Sequence, residues 1–169
     1  MSQIEDRLRN ALSRHDKFRS QNSGYEYTGT AFDVTAIVRD GECQVRVVLP
    51  ELDTVVQNET VPDVVRSGWR DTLDRRLKDG PKAAGLQGDI EYTLEEKDTV
   101  VIARYTFTPK SPGVIGEEVS AIATFVEGTY VQGIIPGYEY DEPVTGLIQQ
   151  AGEQAGSDEI DPEKGGMPL

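Results

Sequence analysis

The chain has 169 residues, with 30 Asp plus Glu against 17 Lys plus Arg, a formal net charge of −13 and a pI near 4.5. DNA and RNA are poor partners for such a surface, because affinity for a polyanion comes largely from neutralising phosphates with Lys and Arg. No stretch approaches the roughly 18 consecutive apolar residues of a membrane helix, and Cys43 is the only cysteine, so an intramolecular disulfide is excluded.

Residues 2–18 carry a helical pattern, with Ile4, Leu8, Ala11, Leu12 and Phe18 on one face. Ser2 and Glu5 match an S-x-x-E capping box. This helix is locally basic: Arg7, Arg9, Arg14, Lys17 and Arg19 face only Glu5, Asp6 and Asp16.

A β-meander follows. Tyr25–Thr28 is strand-like, and Phe32, Val34, Ala36 and Val38 alternate with Asp33, Thr35, Ile37 and Arg39. Asp40-Gly41 predicts a two-residue hairpin, since Gly41 accepts the positive φ of a type I′ turn. The return strand places Cys43, Val45, Val47 and Leu49 on one face and ends at Pro50.

The second helix is set by Val61, Val65, Trp69, Leu73 and Leu77, which recur every four residues. Thr60 can cap it, Pro62 suits its first turn, and Gly80-Pro81 stops it.

In the next hairpin, Ile90, Tyr92 and Leu94 alternate with Glu91, Thr93 and Glu95. The return strand, Thr99–Thr108, is apolar on both faces, as expected of a central strand or of a sheet covered on both sides. Ser111-Pro112 opens a third helix with the stripe Ile115, Val119, Ile122, Val126 and Tyr130. Gly133-Ile134-Ile135-Pro136-Gly137 breaks it, and Pro143 starts a short helix bearing Val144, Leu147, Ile148 and Ala151.

From Gly152 the chain is polar and Gly-rich, with Glu153, Asp158, Glu159, Asp161 and Glu163 against Lys164 alone. Residues 1–151 are therefore expected to form one α+β domain and residues 152–169 a disordered acidic tail. The order α-β-β-β-α-β-β-α-α predicts an antiparallel five-stranded sheet packed with helices, not a parallel doubly wound sheet. The charged N-terminal run SQIEDRLRN lacks the apolar core of a secretory signal, so the expected location is cytoplasmic.

Chemistry-bearing patterns are sparse. His15 is the only histidine and has no partner set for zinc. No phosphate-cradling glycine motif occurs, and adjacent acids such as Glu95-Glu96 and Glu117-Glu118 are expected by chance among so many carboxylates. No cofactor, metal site or catalytic residue is assigned. Cys43 and Trp69 fit core positions. The most unusual stretch runs from Thr129 to Tyr140. Its Tyr130, Ile134, Ile135, Pro136, Tyr138 and Tyr140 form the candidate partner-binding surface, because apolar residues in a loop mark either a contact patch or a plug folded onto the core.

The stretches RHDKF (14–18), TAFDVTAIV (30–38), LPELDTVV (49–56), GWRDTLDRRL (68–77) and FVEGTYVQGIIPGYEYDEPVTGL (125–147) resemble an uncharacterised family of haloarchaeal proteins. The resemblance implies a halophilic host and carries over no functional residue. A high-salt cytoplasm suits the charge, because at roughly 1 M salt the Debye length falls to about 3 Å and acidic self-repulsion is screened. The element order also resembles the type III secretion chaperone-like fold, which implies a protein-binding module, often dimeric, without catalysis. The resulting expectation is a non-enzymatic, chaperone-like protein whose partner is another protein or a second copy of itself. The alternatives are a small enzyme with a carboxylate and tyrosine site, and a regulator meeting an anionic partner through the basic first helix.

Overall fold

The structure, a computed structural model, describes residues 3–160 apart from Ala84 and Gln87. Helix α1 (Gln3–Arg14) buries Leu8 and Leu12 and ends four residues earlier than its apolar pattern predicts. Ser2 of the expected capping box lies outside the described residues. Phe18, expected on that helix, instead begins a short strand, β1 (Phe18–Gln21), paired with β2 (Gly24–Tyr27). The sheet therefore has six strands, not five. Only Phe18 of β1 is buried, so the strand has no apolar alternation by which its period could be read.

Strands β3 (Asp33–Arg39) and β4 (Glu42–Pro50) form the expected hairpin, with Val38 opposite Cys43 and Val34 opposite Val47. Asp40 (φ 55°) and Gly41 (φ 79°) make its turn, both in the left-handed region that a type I′ turn requires. A single helical turn, α2 (Leu52–Val55), follows and buries Leu52 and Val55.

Helix α3 (Asp63–Lys78) buries Trp69, Leu73 and Leu77 along the expected stripe. Pro62 occupies the N-cap position and no side chain caps the helix, so Thr60 has no capping role. Beyond Gly80 the chain makes one more turn, α4 (Gly80–Ala83). The second hairpin is β5 (Glu91–Lys97) with β6 (Val100–Phe107).

A 3-10 turn at Pro112–Val114 leads into α5 (Ile115–Gln132), whose Ile115, Val119, Ile122, Val126 and Tyr130 are all buried. The last element is α6 (Val144–Ile160). Its backbone is helical as far as Ile160. Residues 161–169 lie outside the described residues.

All six strands pair antiparallel in the order β1-β2-β3-β4-β6-β5. One sheet face carries Val34, Ala36, Cys43, Val45, Val47, Leu49, Ala103, Tyr105 and Phe107, which join the α1, α3 and α5 stripes in one hydrophobic core. Residues such as Thr35, Arg46 and Arg104 alternate onto the other face, the polar alternation expected of an antiparallel sheet with one covered side. Ile102 on that second face is also buried, in keeping with the interior position of β6.

Candidate functional site

The α3 stripe and the end of α5 meet around two rings. Tyr130 packs edge-on against Trp69, with ring centroids 5.9 Å apart, and against Phe32 at 4.9 Å. Its hydroxyl donates to the carbonyl oxygen of Pro50 at 2.9 Å, tying α5 to the end of β4. Burial raises the Tyr130 phenol above its ordinary range, so it stays protonated and serves as a donor.

The Gly/Pro segment after α5 folds back and is pinned at several points. Gln57 N–H donates to Glu139 O and Asp141 N–H to Val55 O, each at 2.8 Å, around an antiparallel bridge between Val56 and Tyr140. The Tyr140 hydroxyl donates to Ile135 O at 2.6 Å, and the Thr145 hydroxyl donates to Tyr140 O. Gln57 Nε2 reaches Asp141 Oδ1 at 2.7 Å. Backbone pairing on both sides of Tyr140 makes the returning segment a shaped wall of the fold.

This placement divides the six candidate residues. Tyr130 and Tyr140 are buried and present no side chain to a partner. Ile134, Ile135 and Tyr138 are half-buried against the core, and Pro136 is exposed. The stretch is thus mainly a plug, as loop-borne apolar residues become when the backbone can satisfy its own hydrogen bonds. Ile135 alone of the six lines the groove described next.

Between α3 and the end of α5 runs an open groove of about 460 Å³, lined on the α3 side by Val64, Val65, Gly68, Trp69, Thr72 and Arg76. The opposite wall is Thr129, Gln132, Gly133 and Ile135. Val64 is 79% exposed, the most exposed large aliphatic side chain among the described residues. Val64, Gly68 and Thr72 stand one above another at four-residue spacing, a row adjoining the buried stripe. A Cβ at Gly68 would meet no atom within 4 Å, so the helix backbone is openly accessible there.

The electrostatics of α3 differ along its length. Near its start, Arg66 pairs with Glu51 (3.4 Å), Asp53 (3.6 Å) and Asp63 (2.9 Å). Glu51 foremost, with Asp53 and Asp63, raises the Arg66 pKa still further. Arg70 pairs with Glu96. Arg76, at the groove, is exposed and has no ion-pair partner among the described residues. The indole Nε1 of Trp69 is buried without a hydrogen-bond partner.

Sequence reasoning missed the α3 wall. The available signal was the Val64-Val65 doublet, which cannot bury both members on one helix face. Among the described residues, no group of three or more His, Cys, Asp or Glu side chains is placed to hold a metal. His15 sits instead between α1 and α5, edge-on to Phe18 at 5.0 Å and 3.5 Å from a Glu117 carboxylate oxygen. In the basic first helix, Arg9 donates to Val38 O at 3.1 Å and lies 3.8 Å from Glu5, so part of its charge is used within the fold. No described helix is long and apolar enough to cross a membrane.

No curated protein matches the chain. The crystal structure of YbjN from E. coli is similar at 12% identity and a TM-score of 0.40, over 88% of this chain and 92% of that chain. The model of a family of unknown function, DUF5813, matches residues 13–150, and the chain belongs to that family.

Proposed function

We propose that this is a non-enzymatic protein-binding module that receives its partner in the groove between α3 and the Gly133–Ile135 wall. The observation that carries the reading is Val64. A valine left 79% exposed beside Val65, Trp69 and Ile135 is the free margin of an apolar surface, the kind of feature that marks a contact site. The pinned turn after α5 supports it, because a preformed wall loses little conformational entropy on binding.

The tyrosines support the non-enzymatic part. The hydroxyls of Tyr92, Tyr105, Tyr130 and Tyr140 are engaged with Asp74, Leu77, Pro50 and Ile135 in turn. Each such bond holds a helix, strand end or turn in place, which is a structural use of those phenols. The excess of carboxylates suits work in concentrated salt, as in a halophilic cytoplasm. Stability measured by circular dichroism across a KCl series tests that setting; full stability without salt would argue against it.

The binding reading is tested by photo-crosslinking in cells. A benzophenone amino acid is placed at Val64 and, as a control, at Val114, which is 36% exposed at the far end of α5. A discrete adduct from position 64 and none from position 114 supports the reading. Absence of an adduct at position 64, or equal adducts from both, overturns it.

A further inference from the structure

We propose that the occupant of this groove is an apolar peptide segment carrying a carboxylate, an Asp or Glu set among aliphatic side chains. This rests on the reading of the groove as the protein-binding site. The chain has 30 acidic residues and a net charge of −13. Yet among the described lining residues there is no Asp or Glu, and Arg76 is the only charged one. A carboxylate entering this trough meets no like charge among the described lining residues and one cation at contact range, where salt screens it least.

The one cation of the described lining is unspent. Arg76 has no ion-pair partner among the described residues, and its planar fork matches a carboxylate in two parallel hydrogen bonds. Trp69 is 5% exposed, lines the groove and has a buried Nε1 with no acceptor. Thr72 and Gln132 supply neutral polar contacts on either side. The open row at Val64, Gly68 and Thr72 lets a peptide backbone lie close along α3, since nothing stands within 4 Å of the missing Gly68 Cβ. Aliphatic side chains of the segment would then rest on Val65, Leu73 and Ile135.

The test is selection from a displayed library of random tryptophan-free peptides, run against the full chain in concentrated KCl. A selected peptide and its counterpart with the acid replaced by Lys are then titrated against the protein. Trp69, the only tryptophan, reports binding by its emission. Two substitutions at exposed positions serve as probes, Arg76→Glu and Val64→Lys. The expected result is enrichment of an acid flanked by apolar residues. Arg76→Glu should weaken the acidic peptide by about tenfold or more and reverse the preference toward the Lys counterpart. Val64→Lys should abolish the binding of aliphatic residues. Peptides that require Val64 but bind equally with acid or Lys, or unchanged to Arg76→Glu, overturn the carboxylate inference and leave the binding groove standing. Failure to select any peptide that depends on Val64 removes the groove reading itself.

Discussion

Glu5 Oε2 accepts the backbone N–H of Asp40 at 2.5 Å, so a carboxylate on α1 closes the turn between β3 and β4. Glu5 is 6% exposed, and Asp40 holds a left-handed φ of 55°. A buried acid is therefore spent on fixing a strained hairpin and on joining the first helix to the sheet. Glu5→Ala leaves that amide without its acceptor and is expected to cost about 1–3 kcal/mol. Glu5→Gln keeps an acceptor and should cost less. Urea unfolding in concentrated KCl measures both, and equal losses would show that the hydrogen bond contributes nothing.

The contact between α1 and α5 depends on a missing side chain. A Cβ at Gly116 would stand 2.4 Å from His15 Cδ2. Gly116→Ala should therefore displace the imidazole and lower stability by about 1–3 kcal/mol, as overpacked contacts do. In a His15→Ala background the same change should be nearly neutral or mildly stabilising, because the obstruction is gone and alanine favours the helix. Thermal melts of the four proteins close this double-mutant cycle. Additive losses would contradict the contact.

Alkaline pH should weaken the fold. Burial, with a smaller contribution from the Glu118 charge, pushes the Cys43 thiol from 9.0 to about 12. The unfolded chain releases this proton near 9 and the native chain only near 12. Full stability is thus kept below pH 9 and lost as the pH climbs toward 12, by roughly 1.4 kcal/mol per pH unit for one such group. Burial raises Tyr105 and Tyr130 in the same direction. Unfolding free energies across this range should fall, and fall less steeply in Cys43→Ala. A thiol reagent at neutral pH should label Cys43 only at the rate of unfolding.

The buried tyrosine hydroxyls are structural. Tyr105 donates to Leu77 O at 2.6 Å in the last turn of α3. Tyr105→Phe removes the partner of a buried carbonyl and should cost about 1–2 kcal/mol. Tyr138→Phe, at a half-buried ring 6.4 Å from Tyr140, should change stability by less than about 0.5 kcal/mol. Chemical denaturation of the pair gives the comparison, and equal effects would refute the role given to the Leu77 contact.

Where burial imposed a period, the sequence was readable. Val34, Ala36 and Val38 declare β3, and Trp69, Leu73 and Leu77 declare α3, because each face meets the same core. The β1 strand was hidden, since Phe18 is its one buried residue and its spacing from Leu8 and Leu12 also suits a helix. The groove was harder still. Its walls come from residues some sixty positions apart, and Val64 or Arg76 gains meaning only once α3 lies beside Gln132 and Ile135. In the turn after α5, composition marked an unusual segment. Whether Tyr140 faced outward or inward was decided by its pairing with Val56, which no local pattern encodes.

The two lateral margins of the sheet have a consequence for crowding. β1 offers only four residues, and β5 carries Glu91, Glu95 and Glu96 along its free border. A neighbouring chain seeking to extend the ladder would find too little length on one side and, on the other, charged side chains already committed to Arg70 and Arg104. Fibril growth by adding strands to either edge of the sheet is thereby discouraged.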